Sequence, residues 1–127
     1  MEEIKILIVD DQGVMQRIVR NVLKTVYVGK LDESNFIYAS NGKETIEKII
    51  TEKPSIVFLD WMMPVITGYE ALKIIRSKLK DLPIIMVTSL SQEKYEIESM
   101  MAGATDYIRK PVKEKDFIEA LKNLSVL

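Results

Sequence analysis

The sequence predicts an α/β protein built around a parallel sheet of five strands, and three observations predict it. Five short apolar runs, rich in β-branched residues, recur along the 127 residues; the longest of them suit strands buried on both faces. Between them lie segments whose apolar residues repeat at helical spacing. Strand–helix alternation implies right-handed crossovers, and such crossovers leave consecutive strands parallel.

The elements follow in order. Ile4 to Val9 (IKILIV) is the first run, and from Gln12 onward Met15, Ile18, Val19, Val22, Leu23 and Val26 give the first helix one apolar face. Tyr27 to Asn35 (YVGKLDESN) follows neither period and reads as a surface loop. Phe36 to Ala39 is the second strand, and Asn41-Gly42 marks the turn into a helix carrying Ile46, Ile49 and Ile50. Pro54 ends that helix before the third strand, SIVFL. Beyond a loop at Pro64, a third helix is marked by Tyr69, Leu72, Ile75 and Leu79. Pro83 to Thr88 (PIIMVT) is the fourth strand, and Gln92 to Met101 the fourth helix, stopped near Gly103. Thr105 to Ile108 (TDYI) is a short fifth strand, followed by a helix with Phe117, Ile118, Leu121 and Leu124 on one side. No repeat, low-complexity tract or linker divides the chain, so residues 1–127 read as one domain.

Composition narrows the chemistry. At 47% hydrophobic and 29% charged the chain is of ordinary globular make-up. Its 18 basic and 19 acidic side chains leave a net charge of −1, so no broad field favours nucleic acid or an anionic membrane. The absence of cysteine excludes disulfides and thiolate metal sites. The absence of histidine removes the commonest general base and zinc ligand. What remains is carboxylates, hydroxyls, lysines and backbone. The start, MEEIKILIVDD, lacks the basic end and long apolar core of a signal peptide, and no run reaches membrane-spanning length. A cytoplasmic location without membrane insertion is expected.

In open parallel sheets, binding groups gather beyond the carboxyl ends of strands, near the point where strand order reverses. Here the first strand ends at Asp10-Asp11, the third at Asp60, the fourth at Thr88 and the fifth just before Lys110. Each residue has an ordinary alternative: Asp10 and Asp11 as helix caps, Asp60 as a solvated turn residue, Thr88 with Ser89 as a cap, Lys110 as a surface lysine. Their joint placement argues otherwise. Three carboxylates converging on one edge repel unless positive charge sits among them. Lys110 supplies one charge, and a hard divalent cation, Mg²⁺ or Mn²⁺ rather than zinc, would supply the rest. Mg²⁺ completes its shell with waters and phosphate oxygens, and carboxylates are competent nucleophiles toward phosphorus. Asp60, alone at the end of the central strand, is therefore the candidate phosphate acceptor.

With ILIVDD at 6–11, IVFLDWMMPVITG at 56–68, IIMVTS at 84–89 and GATDYIRKPV at 103–112, the chain resembles the receiver domain of two-component response regulators. The form is that of the single-domain, chemotaxis-type receivers. The resemblance spans essentially the whole chain, four blocks in order. It implies a flavodoxin-like (βα)5 fold with strand order 2-1-3-4-5, two helices on one face and three on the other. It implies Asp60 as the phosphorylated residue, and Asp10, Asp11, Asp60 and the backbone carbonyl of Met62 as Mg²⁺ ligands. Thr88 and Lys110 would contact the phosphoryl group, the Lys110–Pro111 bond would be cis, and Tyr107 would move inward as Thr88 engages the phosphate. A sensor histidine kinase would be the donor, and the fourth helix, fifth strand and fifth helix would face the output protein. The positions rimming the acceptor in this family, two residues after Asp60 and after Thr88, are Met62 and Leu90. Thr67 and Ser40 depart from the acidic residues common at their positions, and neither touches the chemistry.

Rival classes fare worse on the same residues. A haloacid-dehalogenase-like phosphatase uses a strand-end Asp but needs a second Asp two residues on, where Met62 stands. A flavin carrier needs a phosphate loop after the first strand, and Asp-Asp-Gln-Gly would repel the phosphate. No P-loop motif is present. The expectation is a phosphoacceptor rather than a multiple-turnover enzyme. Either a stand-alone chemotaxis-type regulator, a phosphorelay intermediate or a receiver cut from a longer regulator is consistent with it, and with no room for a DNA-binding domain no direct contact with nucleic acid is expected.

Overall fold

In a computed structural model, which describes residues 4–122 and Leu124, the alternation resolves into β1 (Ile6–Val9), α1 (Gly13–Val26), β2 (Phe36–Ala39), α2 (Gly42–Glu52), β3 (Ile56–Leu59), α3 (Gly68–Arg76), β4 (Ile84–Thr88), α4 (Glu93–Met101), β5 (Asp106–Arg109) and α5 (Glu114–Leu121). The strands form one parallel sheet in the order β2-β1-β3-β4-β5. Val9 lies between Ala39 and Leu59, and Thr88 pairs with Arg109. From β1 the chain first builds outward to β2 and then crosses back to β3. The reversal therefore falls between β1 and β3, the strands that end at Asp10 and Asp60.

β1, β3 and β4 are buried throughout because both faces of the sheet are covered. Alternate residues point to opposite sides. Leu7, Val9, Val57, Leu59, Ile84 and Met86 pack with Ile49 of α2 and with Ala71, Leu72 and Ile75 of α3. Ile6, Ile8, Ile56, Phe58, Ile85 and Val87 pack with Val19 and Leu23 of α1 and with Phe117, Ala120 and Leu121 of α5. Phe58 and Phe117 meet with ring centroids 5.5 Å apart. Tyr95 of α4 joins the α2–α3 side, giving two helices on one face and three on the other.

The apolar faces are narrower than the spacing suggests. Ile18, Ile50 and Ile118 belong to the helical pattern but are 38%, 67% and 51% exposed. Each follows or precedes a buried residue, and one step along a helix turns a side chain about 100° away from the sheet. Leu79 lies beyond the end of α3 and is also exposed. The Tyr27–Asn35 segment is more ordered than a plain loop. It contains a single 3-10 turn at Glu33–Asn35 in which Asp32 accepts from the Ser34 N–H and Asn35 accepts from the Asp32 N–H, each at 2.9 Å. The Asn35 amide also donates to the carbonyl of Ile4, 2.8 Å, tying this segment to the edge of β1.

Two glycines hold the connection after β3. The Gly68 N–H donates to the Trp61 carbonyl at 2.8 Å, and a Cβ there would sit 1.7 Å from the Asp60 carbonyl oxygen. The Gly42 N–H donates to the Ile66 carbonyl at 3.0 Å, and a Cβ there would sit 2.3 Å from that oxygen. Thr67 then opens α3 with a capping box, accepting from the Glu70 N–H while Glu70 accepts from the Thr67 N–H, both 3.1 Å. Inside this clamped connection Val65 is forced to φ 70°, a left-handed conformation costly for a β-branched residue. Its side chain is 77% exposed, so little packing offsets that cost. Val65→Asn should stabilise the protein by about 1 kcal/mol, measured by urea unfolding; an unchanged or lower midpoint would show that Val65 is not strained.

Candidate functional site

The sheet carries its hydrogen-bond ladder one residue past the strands, and this fixes the site. The Asp10 N–H donates to the Ala39 carbonyl at 3.1 Å and the Asp60 N–H to the Val9 carbonyl at 3.1 Å. The Lys110 N–H donates to the Thr88 carbonyl at 2.9 Å. All four strand-end residues singled out in the sequence thus start from backbone that belongs to the sheet. Gln16 of α1 adds a brace that the sequence did not reveal, its amide donating to the carbonyls of Asp10 and Ala39 at 2.9 and 3.1 Å. The capping alternatives are not realised: the N-cap positions of α1 and α4 are Gln12 and Gln92, and neither side chain makes a cap hydrogen bond. Asp10 instead accepts from the Gln12 N–H at 2.9 Å, within the turn.

Asp10 and Asp60 are buried, at 3% and 6% exposure, while Asp11 is exposed. Carboxylate oxygens of the three lie within 4.8 Å of one another. Lys110 reaches in from the far side of the sheet edge, its Nζ 2.7 Å from Asp10 Oδ2 and 3.2 Å from Asp60 Oδ2. Three carboxylates against one ammonium leave a formal charge of −2 in a largely buried pocket. Burial pushes the Asp60 carboxyl above the usual carboxylate range; the Lys110 charge pulls it down, the Asp10 charge raises it again, and a Thr88 hydrogen bond lowers it. Burial would lower the Lys110 ammonium, but the hydrogen bond to Asp10 and the charges of Asp60 and Asp10 outweigh it and hold the group above its ordinary value. Lys110 is a cation across the physiological range. The all-oxygen donor set and the uncompensated negative charge fit a small hard divalent cation and do not suit zinc.

Thr88, fully buried, accepts from the Leu90 N–H at 3.4 Å. Tyr107 donates from its hydroxyl to the Leu90 carbonyl at 2.6 Å. Leu90 is therefore held at its N–H by the strand-end threonine and at its carbonyl by the tyrosine. The Tyr107 ring is already inside, 7% exposed, and burial pushes its hydroxyl up to about 12. The hydroxyl has its acceptor in the Leu90 carbonyl with the ring in this inward position. Arg109 covers the ring, its guanidinium 5.3 Å from the centroid, and pairs with Glu96 of α4 at 2.7 Å. The Lys110–Pro111 bond is cis, as the resemblance implied.

Met62 lies two residues past Asp60 with its side chain 56% exposed and its N–H 3.4 Å from Asp60 Oδ1. Trp61, between them, was not singled out in the sequence. Its ring stacks on Tyr69 of α3 at 4.4 Å and 7°, and meets Tyr95 of α4 edge-on at 5.2 Å. The residue next to Asp60 is thereby wedged between two helices. An aromatic beside a strand-end carboxylate was the visible signal; its neighbours lie 8 and 34 positions away along the chain and were not visible.

Comparison with known proteins agrees with this geometry. A family model described as the response regulator receiver domain matches residues 6–122. The chain is 39% identical over 116 residues to a protein-glutamate methylesterase/protein-glutamine glutaminase of Clostridium acetobutylicum, covering 89% of this chain and 32% of that protein. It is 33% identical over 121 residues to the chemotaxis protein CheY of Thermotoga maritima, covering 95% of this chain and 97% of that one. Relative to the methylesterase it therefore spans about a third of the length. Among solved structures, chemotaxis protein CheY4 of Vibrio cholerae superposes with a TM-score of 0.79 at 28% identity, over 99% of this chain and 100% of that one. With five parallel strands in the order 2-1-3-4-5 and an acidic pocket at their carboxyl ends, the chain belongs to the response regulator receiver domain family.

Proposed function

We propose that this receiver takes a phosphoryl group from a sensor histidine kinase onto Asp60, with Mg²⁺ held by Asp10, Asp11, Asp60 and the Met62 carbonyl, and passes the signal to a protein partner. Phosphorylation-driven signalling is the general work of such domains. The single observation that carries the finer reading is the buried Asp60 carboxylate, beside a second buried carboxylate and within reach of one lysine. An oxygen of Asp60 forms a bond to phosphorus, the bond from phosphorus to the donor nitrogen breaks, and its electron pair stays with the donor imidazole. Lys110 already faces the Asp60 oxygen and offsets the charge that accumulates on the transferring group. Mg²⁺, when bound, supplies further positive charge against the phosphoryl oxygens. The Thr88 hydroxyl, which now hydrogen-bonds the Asp60 carboxyl and accepts from the Leu90 N–H, offers the new phosphate a donor.

The shared contact with Leu90 supports Thr88 and Tyr107 as the switch. A change at Thr88 moves Leu90, Leu90 carries the Tyr107 hydroxyl bond, and Tyr107 lies under Arg109 and against α4. The output face proposed is α4, β5 and α5. Its exposed Ile97, Met100 and Met101 are stronger anchors than its charges, because Glu96 is already paired with Arg109. Chemotaxis-type signalling is the reading favoured by the likeness to the Thermotoga protein.

Incubation with acetyl phosphate and Mg²⁺ should add one phosphoryl group by mass, and Asp60→Asn should abolish it; wild-type labelling of that variant would remove Asp60 from the mechanism. Asp11→Ala should weaken Mg²⁺ binding by about tenfold or more, followed through the fluorescence of Trp61, the only tryptophan, with the fold unchanged by circular dichroism. Unaltered Mg²⁺ affinity would place the ion elsewhere.

Burial raises the Asp60 pKa, so its favourable contribution to folding is present below the unfolded value, about 4, and is lost as pH rises through the folded one. At neutral pH the ionised group is a net cost to the folded state. Asp60→Asn should therefore melt higher than wild type at pH 7, with the gap closing toward pH 4. A variant that melts lower at pH 7 would mean that the Lys110 ion pair outweighs desolvation.

The rim sets the lifetime of the phosphate. Hydrolysis needs a water placed opposite the Asp60 oxygen, and the apolar side chains of Met62 and Leu90 cannot orient one. Met62→Asn with Leu90→Glu should speed loss of label by on the order of tenfold, equivalent to about 1.4 kcal/mol. A double variant no faster than the parent would show that the rim has no kinetic role.

A further inference from the structure

At the end of the sheet opposite Asp60, where Pro54 leads into β3 and Leu82 leads toward β4, the C-terminal ends of α2 and α3 enclose an open groove of about 490 Å³. Ile50, Pro54, Leu79 and Leu82 form its walls, and every lining residue is apolar except Lys53 and Lys78. Ile50 and Leu79 are 67% and 44% exposed and lie side by side on this groove. Neither lysine joins any of the ion pairs among the described residues.

Two further features mark the groove as built. Arg76 fixes the wall that follows α3, its guanidinium donating to the carbonyls of Leu79 and Leu82 at 2.9 and 2.6 Å and to that of Gly103 at 2.7 Å. The cavity is therefore preformed rather than opened by a ligand. Lys53, for its part, caps α2 at φ 50°, ψ 62°, in the left-handed region where glycine is the favoured residue. A lysine thus stands at a position where backbone preference favours glycine.

From the apolar walls and the two unpaired lysines, we infer that this groove docks an acidic amphipathic segment of a partner protein, its apolar anchors seated on Ile50 and Leu79 and its carboxylates on Lys53 and Lys78. Charge complementarity selects this occupant: an apolar segment without carboxylates leaves both cations unpaired, and a basic one is repelled. A second copy offers one such segment, α4, with Glu93, Glu96 and Glu98 beside Ile97 and Met101. That contact joins two different faces, so it would build rings or open polymers rather than a two-fold dimer. Since β3 separates the groove from Asp60 by roughly 13 Å of strand, docking here leaves the phosphoacceptor free and suits a scaffold or localisation contact.

The test is a titration of ¹⁵N-labelled protein with a synthetic helical peptide carrying leucines on one face flanked by glutamates, against the same peptide with lysines for glutamates. The acidic peptide should shift amides of residues 49–54 and 78–82 with a dissociation constant on the order of 100 μM. The basic one should shift none. Lys53→Glu with Lys78→Glu should weaken binding by about tenfold or more, and Ile50→Ser should do likewise. Lys53→Gly should bind more weakly while melting no lower than wild type, which separates a binding role from a structural one. Asp60→Asn should bind as wild type does, so failure of the phosphoacceptor assignment would leave this result standing. Equal shifts with both peptides, shifts confined to another face, or concentration-dependent shifts without peptide would each overturn the proposal, the last in favour of self-association.

Discussion

Everything at the working end of this molecule depends on one electrostatic constraint: two buried carboxylates share a single ammonium. Asp10 and Asp60 sit at the two strands that flank the reversal of strand order, and Lys110 is hydrogen-bonded to both. Removing that lysine would leave adjacent like charges in a poorly solvated pocket, a loss of several kcal/mol for a buried pair. Yet one ammonium does not balance two buried carboxylates and a third, exposed one beside them. The pocket carries negative charge that its own side chains do not neutralise.

Such a site needs rigid supports, and the fold supplies them from backbone. The ladder bonds at Asp10, Asp60 and Lys110 make each functional residue an extension of the sheet rather than a loop residue. Gly68 lets α3 begin against the Asp60 carbonyl, and Gly42 lets α2 begin against Ile66. Between these clamps the connection has so little freedom that Val65 is held in a left-handed conformation. The apolar strands beneath, buried on both faces, hold the edge itself in place.

Two chains of contacts lead away from this edge. One runs through Thr88, Leu90 and Tyr107 to the surface at Arg109 and α4. The other runs through Trp61, which follows Asp60 directly and is packed against Tyr69 and Tyr95. Both reach α4, the helix with the least pronounced separation of apolar and polar faces and with Ile97 and Met101 open to solvent. Of the five helices it is anchored mainly through Tyr95 and the buried Ser99 rather than through an aliphatic stripe.

The sequence by itself determined the sheet, the order of elements and the four strand-end residues, because period-2 and period-3.6 patterns and strand-end polarity are local and leave direct marks in the chain. It also identified Lys110 as the counter-charge, because no histidine was present and the fifth strand ended there. Only the tertiary structure decided which residues of each apolar stripe are buried, since Ile18, Ile50 and Ile118 satisfy the helical period but turn past the edge of the sheet. The same holds for Gln16, Trp61 and Gly68, whose importance lies in contacts with residues distant in sequence. It holds for Tyr107 as well, whose hydroxyl finds its acceptor in the Leu90 carbonyl, 17 positions away. Periodicity states which side of an element is apolar. How far that side is covered, and which polar groups meet across the sheet edge, is settled only when the chain closes on itself.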